Sequence, residues 1–233
     1  MTALIRSVAA LTAAALLVAC GGADEVETTE TEGTAAVAVS ADESYLREDD
    51  YVLGSADAPV VLLEYASVAC PACAAWHSQV YPDFKSKYVD TGKVRYVFRP
   101  FPTAPIAMAD TGHMLAYCGD RDDYFTNIKL QFDRQRQLLD MLQKGKGRDA
   151  YVSLAKASGL SEDEFVACVR NEEIRARYDE VIQSGEDLGV RGTPSFFVNG
   201  ERLDGAGTLE NLEAVILPLL GEPVPEAADD AGE

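Results

Sequence analysis

Val60-Val61-Leu62-Leu63-Glu64-Tyr65-Ala66-Ser67-Val68-Ala69-Cys70-Pro71-Ala72-Cys73 is the stretch on which the reading of this chain turns. Its first half, from Val60 to Tyr65, is a short apolar run behind Pro59 and reads as a buried strand. A helical pattern follows from about Pro71 to Tyr88, with Cys73, Trp76, Val80 and Phe84 spaced along one face. Pro82 within that pattern predicts a kink or a break. At a helix N-terminus the free backbone N–H groups and the positive dipole end stabilise an anion, so the junction favours the thiolate of Cys70. Pro71 suits the first helical position, where the N–H it lacks has no intrahelical partner. A lowered thiol pKa makes Cys70 the attacking sulfur at neutral pH and a good leaving group afterwards. Cys73, one turn into the helix, can resolve a mixed disulfide, and the two-residue spacer lets the two sulfurs meet.

Outward from this junction, Val94-Arg95-Tyr96-Val97-Phe98 reads as a second strand, ended by Pro100 and Pro102. From Ile106 to Leu188 the signals are almost wholly helical, and Ser161-Glu162-Asp163-Glu164 reads as a capping box opening a segment to Arg170. Strand character returns at Ser195-Phe196-Phe197-Val198. A turn at Asn199-Gly200 and a short Glu201-Arg202-Leu203 follow, which is a strong hairpin signal. Residues 209–220 close the pattern as an amphipathic helix. Trp76, Tyr65, Phe84 and Phe196 are most economically core residues.

Three separated features now resemble the DsbA-like thiol–disulfide oxidoreductases of the thioredoxin superfamily. They are Glu64-Tyr65-Ala66-Ser67 through Cys73, Arg99-Pro100-Phe101-Pro102, and Gly192-Thr193-Pro194-Ser195-Phe196-Phe197-Val198-Asn199-Gly200. The resemblance spans about residues 51–220 and implies an α/β fold: a thioredoxin fold (residues 51–103 and 189–220) with an inserted all-helical domain (residues 104–188). It further implies a cis Pro194 facing the redox cysteines, with Thr193 offering backbone atoms to an extended substrate; Pro71 and Ala72 are the remaining candidate substrate contacts. Glu64 matches the family's buried acid. A carboxylate in an apolar strand has a raised pKa and could pass a proton to and from Cys73, against the plainer reading of a solvated or ion-paired residue. Ala72 departs from the family, whose most oxidising members carry histidine there. The expected reduction potential therefore lies between roughly −120 and −270 mV, the span of strong oxidants and reductants of this fold.

The 233 residues carry a net charge of −19, which argues against a nucleic-acid partner. The charge is concentrated in flanks: residues 21–50 hold ten acids and one base, and residues 221–233 hold five acids and no base. Both flanks read as solvated, the first as an acidic tether (residues 20–50), the second as a disordered tail. Residues 1–19, with Arg6 ahead of an apolar run too short to span a bilayer, read as an export signal. Leu17-Val18-Ala19-Cys20 resembles the lipobox of bacterial lipoproteins, which implies acylation of Cys20 and a periplasmic protein anchored to a bacterial membrane, the outer one weakly favoured. An ordinary signal cut near Ala19 is the alternative. Export places the other cysteines in an oxidising compartment, where Cys118 and Cys168 are expected to form a structural disulfide.

A zinc site is a rival reading of Cys70, Cys73 and His77, with His113 as a distant fourth ligand; structural zinc sites usually show two compact ligand pairs, so no metal is expected. His77 reads more simply as a partly exposed helix residue. The two sulfurs carry the electrons, so no cofactor is implied. The expected function is donation of the Cys70–Cys73 disulfide to thiols of reduced or misoxidised exported proteins. By family resemblance, a quinone-linked membrane partner would reoxidise it. The same pair running backwards as a reductase or isomerase, fed by a reductant donor, is the first alternative. The absence of a visible dimerisation segment in residues 21–50 weakens the isomerase option. A thioredoxin-fold binding module with a non-catalytic cysteine pair is the second.

Overall fold

A computed structural model of the chain describes residues 43–225. The export signal, Cys20, most of the tether and residues 226–233 of the tail lie outside the described residues.

Strand β2 (Val60–Ala66) is buried along its whole length. It pairs in parallel with β3 (Val94–Pro100), Val60 opposite Val94 and Ala66 opposite Pro100, and antiparallel with β4 (Ser195–Val198), Glu64 opposite Phe196. The two-residue strands β1 (Val52–Leu53) and β5 (Glu201–Arg202) flank these, giving the order β1-β3-β2-β4-β5. A parallel pair requires a crossover connection. Here α1 (Pro71–Gln79), α2 (Tyr81–Phe84) and a π-type turn at Lys85–Val89 supply it. The helical pattern expected to Tyr88 is thus broken at Val80, in keeping with the kink or break expected at Pro82. Pro82 is the reason, since it lacks an N–H and is accommodated in the opening turn of α2. The β4–β5 turn has Asn199 at φ 47° and Gly200 at φ 86°, the positive angles that a two-residue hairpin turn requires. Asn199 Oδ1 accepts the Val61 N–H at 2.7 Å, tying the turn back to β2.

Strand alternation sends Leu62, Glu64 and Ala66 to one face of the sheet and Val61, Leu63 and Tyr65 to the other. The first face packs with Trp76, Phe84 and Phe196, and with Leu212 and Ile216 of α9 (Leu209–Leu219). The second meets Val97, Val190 and Phe197. Between β3 and β4 the chain runs through α3 (Ile106–Ala116), α4 (Tyr124–Asp133), α5 (Gln135–Gln143), α6 (Gly147–Ala157), α7 (Glu162–Cys168) and α8 (Glu172–Asp187). These build a second core around Met108, Leu115, Leu138, Tyr151, Leu154 and Phe165. The capping box at Ser161 and Glu164 is present, both reciprocal bonds being made. The sheet, crossover and helical insertion make up the thioredoxin arrangement expected from sequence.

Cys118, just after α3, and Cys168, ending α7, are disulfide-bonded, with Cα atoms 5.9 Å apart at a sequence separation of 50. A cross-link closing a loop of that length restricts the unfolded chain by about 4 kcal/mol in the loop-entropy picture. The double variant Cys118→Ala/Cys168→Ala is therefore expected to lose about that much in urea unfolding. A loss under about 1 kcal/mol would show that the unfolded chain is not what the bridge restrains.

One boundary is corrected. The tether was expected to continue to residue 50, but the stretch from Tyr45 to Asp50 packs on the folded unit. Asp50 is buried, and both its carboxylate oxygens accept from Arg99, at 2.8 and 2.6 Å. Arg121 and Arg177 donate to the carbonyls of Asp49 and Asp50 and lie 4.2 and 4.5 Å from the ring centroid of Tyr51, which also stacks on Tyr124 at 3.8 Å. Composition could not separate Asp50 from its acidic neighbours, because what distinguishes it is a partner 49 residues away.

Candidate active site

The C-terminal end of β2 delivers the chain into a tight turn held by several hydrogen bonds inside the protein. The Cys70 N–H bonds the Ser67 carbonyl at 3.0 Å, and Ser67 Oγ accepts from the N–H groups of Ala69 and Thr103. Cys70 is the N-cap of α1 with extended backbone angles, and its carbonyl accepts the Ala74 N–H at 3.1 Å. Pro71 takes the opening position of the helix, and Pro71 and Ala72 are exposed. Gln135, buried at the start of α5, reaches across and donates at 2.9 Å to the carbonyls of both Val68 and Cys70. The helical insertion thereby grips the turn that carries Cys70. Nothing in the periodicity of α5 marks Gln135, so sequence reasoning missed it.

Cys70 and Cys73 are both free thiols here, and they differ sharply. Cys73 is wholly buried. The Cys70 thiol is held down to about 5, first by its hydrogen bond with Cys73, against the opposing effect of burial. Thr193 and the backbone N–H groups of Cys73 and Ala72 lower it further. The helix N-terminus named in the sequence argument therefore contributes, but the neighbouring sulfur contributes more. Burial pushes the Cys73 thiol far up, assisted by the bond to Cys70 and by the nearby charge of Glu64. One sulfur is thus prepared as an anion and the other as a protonated thiol.

The Thr193–Pro194 bond is cis, and the Cys70 thiol donates to the Thr193 carbonyl at 3.3 Å, which sets this loop directly against the reactive sulfur. A second cis bond, Ala104–Pro105, was not foreseen. Trp76 Nε1 donates to the Gly207 carbonyl at 2.6 Å, and its ring lies 4.7 Å from that of Phe196, so α1 is bound to the loop ahead of α9.

Glu64 lies beneath the cysteines, entirely buried. Its Oε2 accepts from the hydroxyl of Tyr96 and is 3.0 Å from Nε2 of His77. Its Oε1 is buried with no hydrogen-bond partner among the described residues. His77 is a partly buried helix residue beside the site, as expected; its side chain is 8% exposed and stacks on Phe132 at 4.2 Å, because α1 turns this position towards β2 and α4. The zinc constellation does not assemble. His77 is committed to Glu64, and His113 is buried near Phe98 and Tyr178 with its pKa pressed down to about 3 by burial. Among the described residues no three His, Cys, Asp or Glu side chains converge as a metal site.

The family model described as Thioredoxin matches residues 46–217. A putative protein-disulfide oxidoreductase of Rickettsia conorii is 30% identical over 188 residues, covering 76% of this chain and 64% of the relative. The chain thus spans a little under two thirds of the length of that relative. A probable disulfide bond formation protein D of Bacillus cereus is 28% identical over 153 residues, covering 64% of this chain and 69% of the relative. The crystal structure of Wolbachia pipientis alpha-DsbA1 superposes with a TM-score of 0.64 at 29% identity, over 76% of this chain and 93% of that one.

Proposed function

This chain belongs to the thioredoxin family, among its DsbA-like members, and we propose that it is a thiol–disulfide oxidoreductase acting as an oxidase of exported protein thiols. A substrate thiolate attacks Cys70 of the Cys70–Cys73 disulfide, and Cys73 leaves. The second substrate thiol then attacks the mixed disulfide at the substrate sulfur and releases Cys70 as its thiolate. The substrate leaves oxidised and both cysteines remain reduced. Thr193 and Pro194, with Pro71 and Ala72 at the rim, receive the substrate backbone, and Glu64 supplies the proton that Cys73 needs as it leaves.

The single observation that supports the oxidase direction is the placement of Cys70 at the N-terminus of α1, beside Cys73 and against the Thr193–Pro194 loop, an arrangement that favours its thiolate. A protein that favours its reduced form holds a disulfide that is readily given away, so a low thiolate pKa and an oxidising potential go together. Export as a lipoprotein through Cys20, residence in the periplasm and reoxidation by a quinone-linked membrane protein complete the proposal. The relatives' printed names, a protein-disulfide oxidoreductase and a disulfide bond formation protein, support the thiol–disulfide chemistry of the proposal.

Equilibration of the Cys70/Cys73 pair against glutathione tests the direction. The expected potential lies between roughly −120 and −270 mV, towards the oxidising end. A value more negative than about −270 mV would turn the reading to the reductase.

A further inference from the structure

We infer that His77 is the proton partner of Glu64, the two side chains together holding one proton for Cys73 and renewing it through a groove on the side of α1 that faces α4. The inference rests on the proposed thiol–disulfide exchange and concerns how its buried half is completed. Four observations lead to it. Glu64 is sealed from solvent, so a proton it gives up cannot return directly. Its Oε1 has no hydrogen-bond partner among the described residues, while its Oε2 accepts from the Tyr96 hydroxyl and meets His77 Nε2 at 3.0 Å. The carboxylate thus has one oxygen free for a proton acceptor and the other fixed to an imidazole. His77 in turn lines a groove of about 1110 Å³ between α1–α2 and α4–α5, floored by Phe125, Phe132, Ala74 and Tyr81. The ring spans the distance between a buried acid and an opening to solvent.

The proton balance then closes. When the substrate thiolate bonds to Cys70 Sγ, the Cys70–Cys73 bond breaks and its electron pair leaves on Cys73. Cys73 takes the shared proton from Glu64, which leaves a carboxylate beside neutral His77, and solvent in the groove then protonates the imidazole, so that the pair again holds one proton as carboxylate and imidazolium or, after transfer across Nε2, as acid and neutral ring. On reoxidation the Cys73 proton leaves by the same path in reverse. An imidazole–carboxylate pair suits the task because it can carry one proton as acid and neutral ring or as carboxylate and imidazolium, and near neutral pH histidine is the side chain that changes charge readily. The titratable groups against the ring are Glu64 from β2, Tyr96 from β3 through that carboxylate, and Tyr81 from α2. On the remaining side α4 presents Phe132, while Lys85, Lys129, Asp122, Asp133 and Arg136 stand around the groove. His77 acts through Glu64 and is a positioning residue; it does not touch the reacting sulfurs.

The test compares His77→Gln, His77→Gly and Glu64→Gln by the pH dependence of the single-turnover step in which reduced substrate peptide opens the disulfide. For His77→Gln the rate is expected to fall about tenfold or more above pH 7, as loss of a proton donor does, and to approach the parent rate near pH 5. The Cys70 thiolate, followed by its ultraviolet absorbance, titrates at the parent pH. Added imidazole restores the rate of His77→Gly, since the groove admits it, which a packing role would not produce. A parent-like profile for His77→Gln beside a slowed Glu64→Gln would overturn the role of His77 and leave that of Glu64 standing. Parent-like profiles for both would remove the proton role of Glu64 itself.

Discussion

Cys70→Ser abolishes catalysed disulfide exchange, leaving only the rate of the uncatalysed reaction in both insulin turnover and refolding of a reduced substrate. A serine hydroxyl at the same helix N-terminus is not ionised at neutral pH and forms no exchangeable bond with sulfur. The parent advantage has a simple magnitude. A thiol at about 5 is almost fully ionised at pH 7, whereas an ordinary cysteine near 8.5 is ionised to only a few per cent, a difference of about thirtyfold in thiolate. Cys73→Ala separates the two sulfurs. Without a resolving thiol, Cys70 attacks a substrate disulfide and remains joined to it, so mixed disulfides accumulate and are seen as mass adducts that reductant removes. Unchanged activity in Cys70→Ser would leave only the binding-module reading.

The same asymmetry predicts a pH dependence of stability. In the unfolded reduced chain Cys70 titrates near 8.5; in the folded protein it titrates at about 5. A depressed folded value contributes stability that is fully present above the unfolded value and is lost as pH falls through the folded one. Cys73 works in the opposite sense, because its raised pKa costs stability as pH climbs above the unfolded value. The reduced protein is therefore expected to be most stable relative to the oxidised one near pH 8, with the difference shrinking steadily towards pH 5. Urea unfolding of both forms across that range checks it, and Cys70→Ser, reduced, should show no such slope.

The features legible in sequence are those written into neighbouring residues. The run from Val60, the proline after Cys70, the capping box at Ser161 and the Asn199-Gly200 turn each declare themselves within a few positions, and each stands where it was expected. Strand β1 did not, because two residues carry no period; only pairing with β3 makes Val52 and Leu53 a strand. The difficulty with the site was similar. Cys70, Cys73 and Pro194 follow from a motif, but His77 reads only as a partly exposed helix residue near the site, and its bond to Glu64 exists only once β2 is folded against α1. Gln135 and Asp50 are polar residues whose burial depends entirely on partners far along the chain. Long-range polar contacts leave no periodic trace, and this site depends on several.

Asp50 also offers the largest expected loss of stability from a single side chain. Arg99 is 2% exposed at its side chain and Asp50 4%, and the guanidinium spends four hydrogen bonds in this region. Two go to the Asp50 carboxylate, one from Nη1 to the Tyr65 hydroxyl at 2.7 Å, and one to the Tyr45 carbonyl at 2.9 Å. Burial by itself would lower the Arg99 pKa, but Asp50, then Tyr65, hold it above its ordinary value, so the charge persists. Asp50→Ala strands that charge in the interior, and the expected cost is about 3–5 kcal/mol in urea unfolding. The pair itself is a different matter, since desolvating both charges consumes most of their attraction. Asp50→Leu combined with Arg99→Met should therefore recover most of the loss. If the double variant were as unstable as Asp50→Ala, the bonds to Tyr45 and Tyr65 rather than the ion pair would be holding this segment. Limited trypsin digestion distinguishes the two at the level of structure. Arg47 is bonded to Asp49 and Glu180. Cleavage after it is expected to be rapid in Asp50→Ala, where the stretch from Tyr45 to Asp50 has lost its anchor to β3, and slow in the parent, where that stretch is part of the fold.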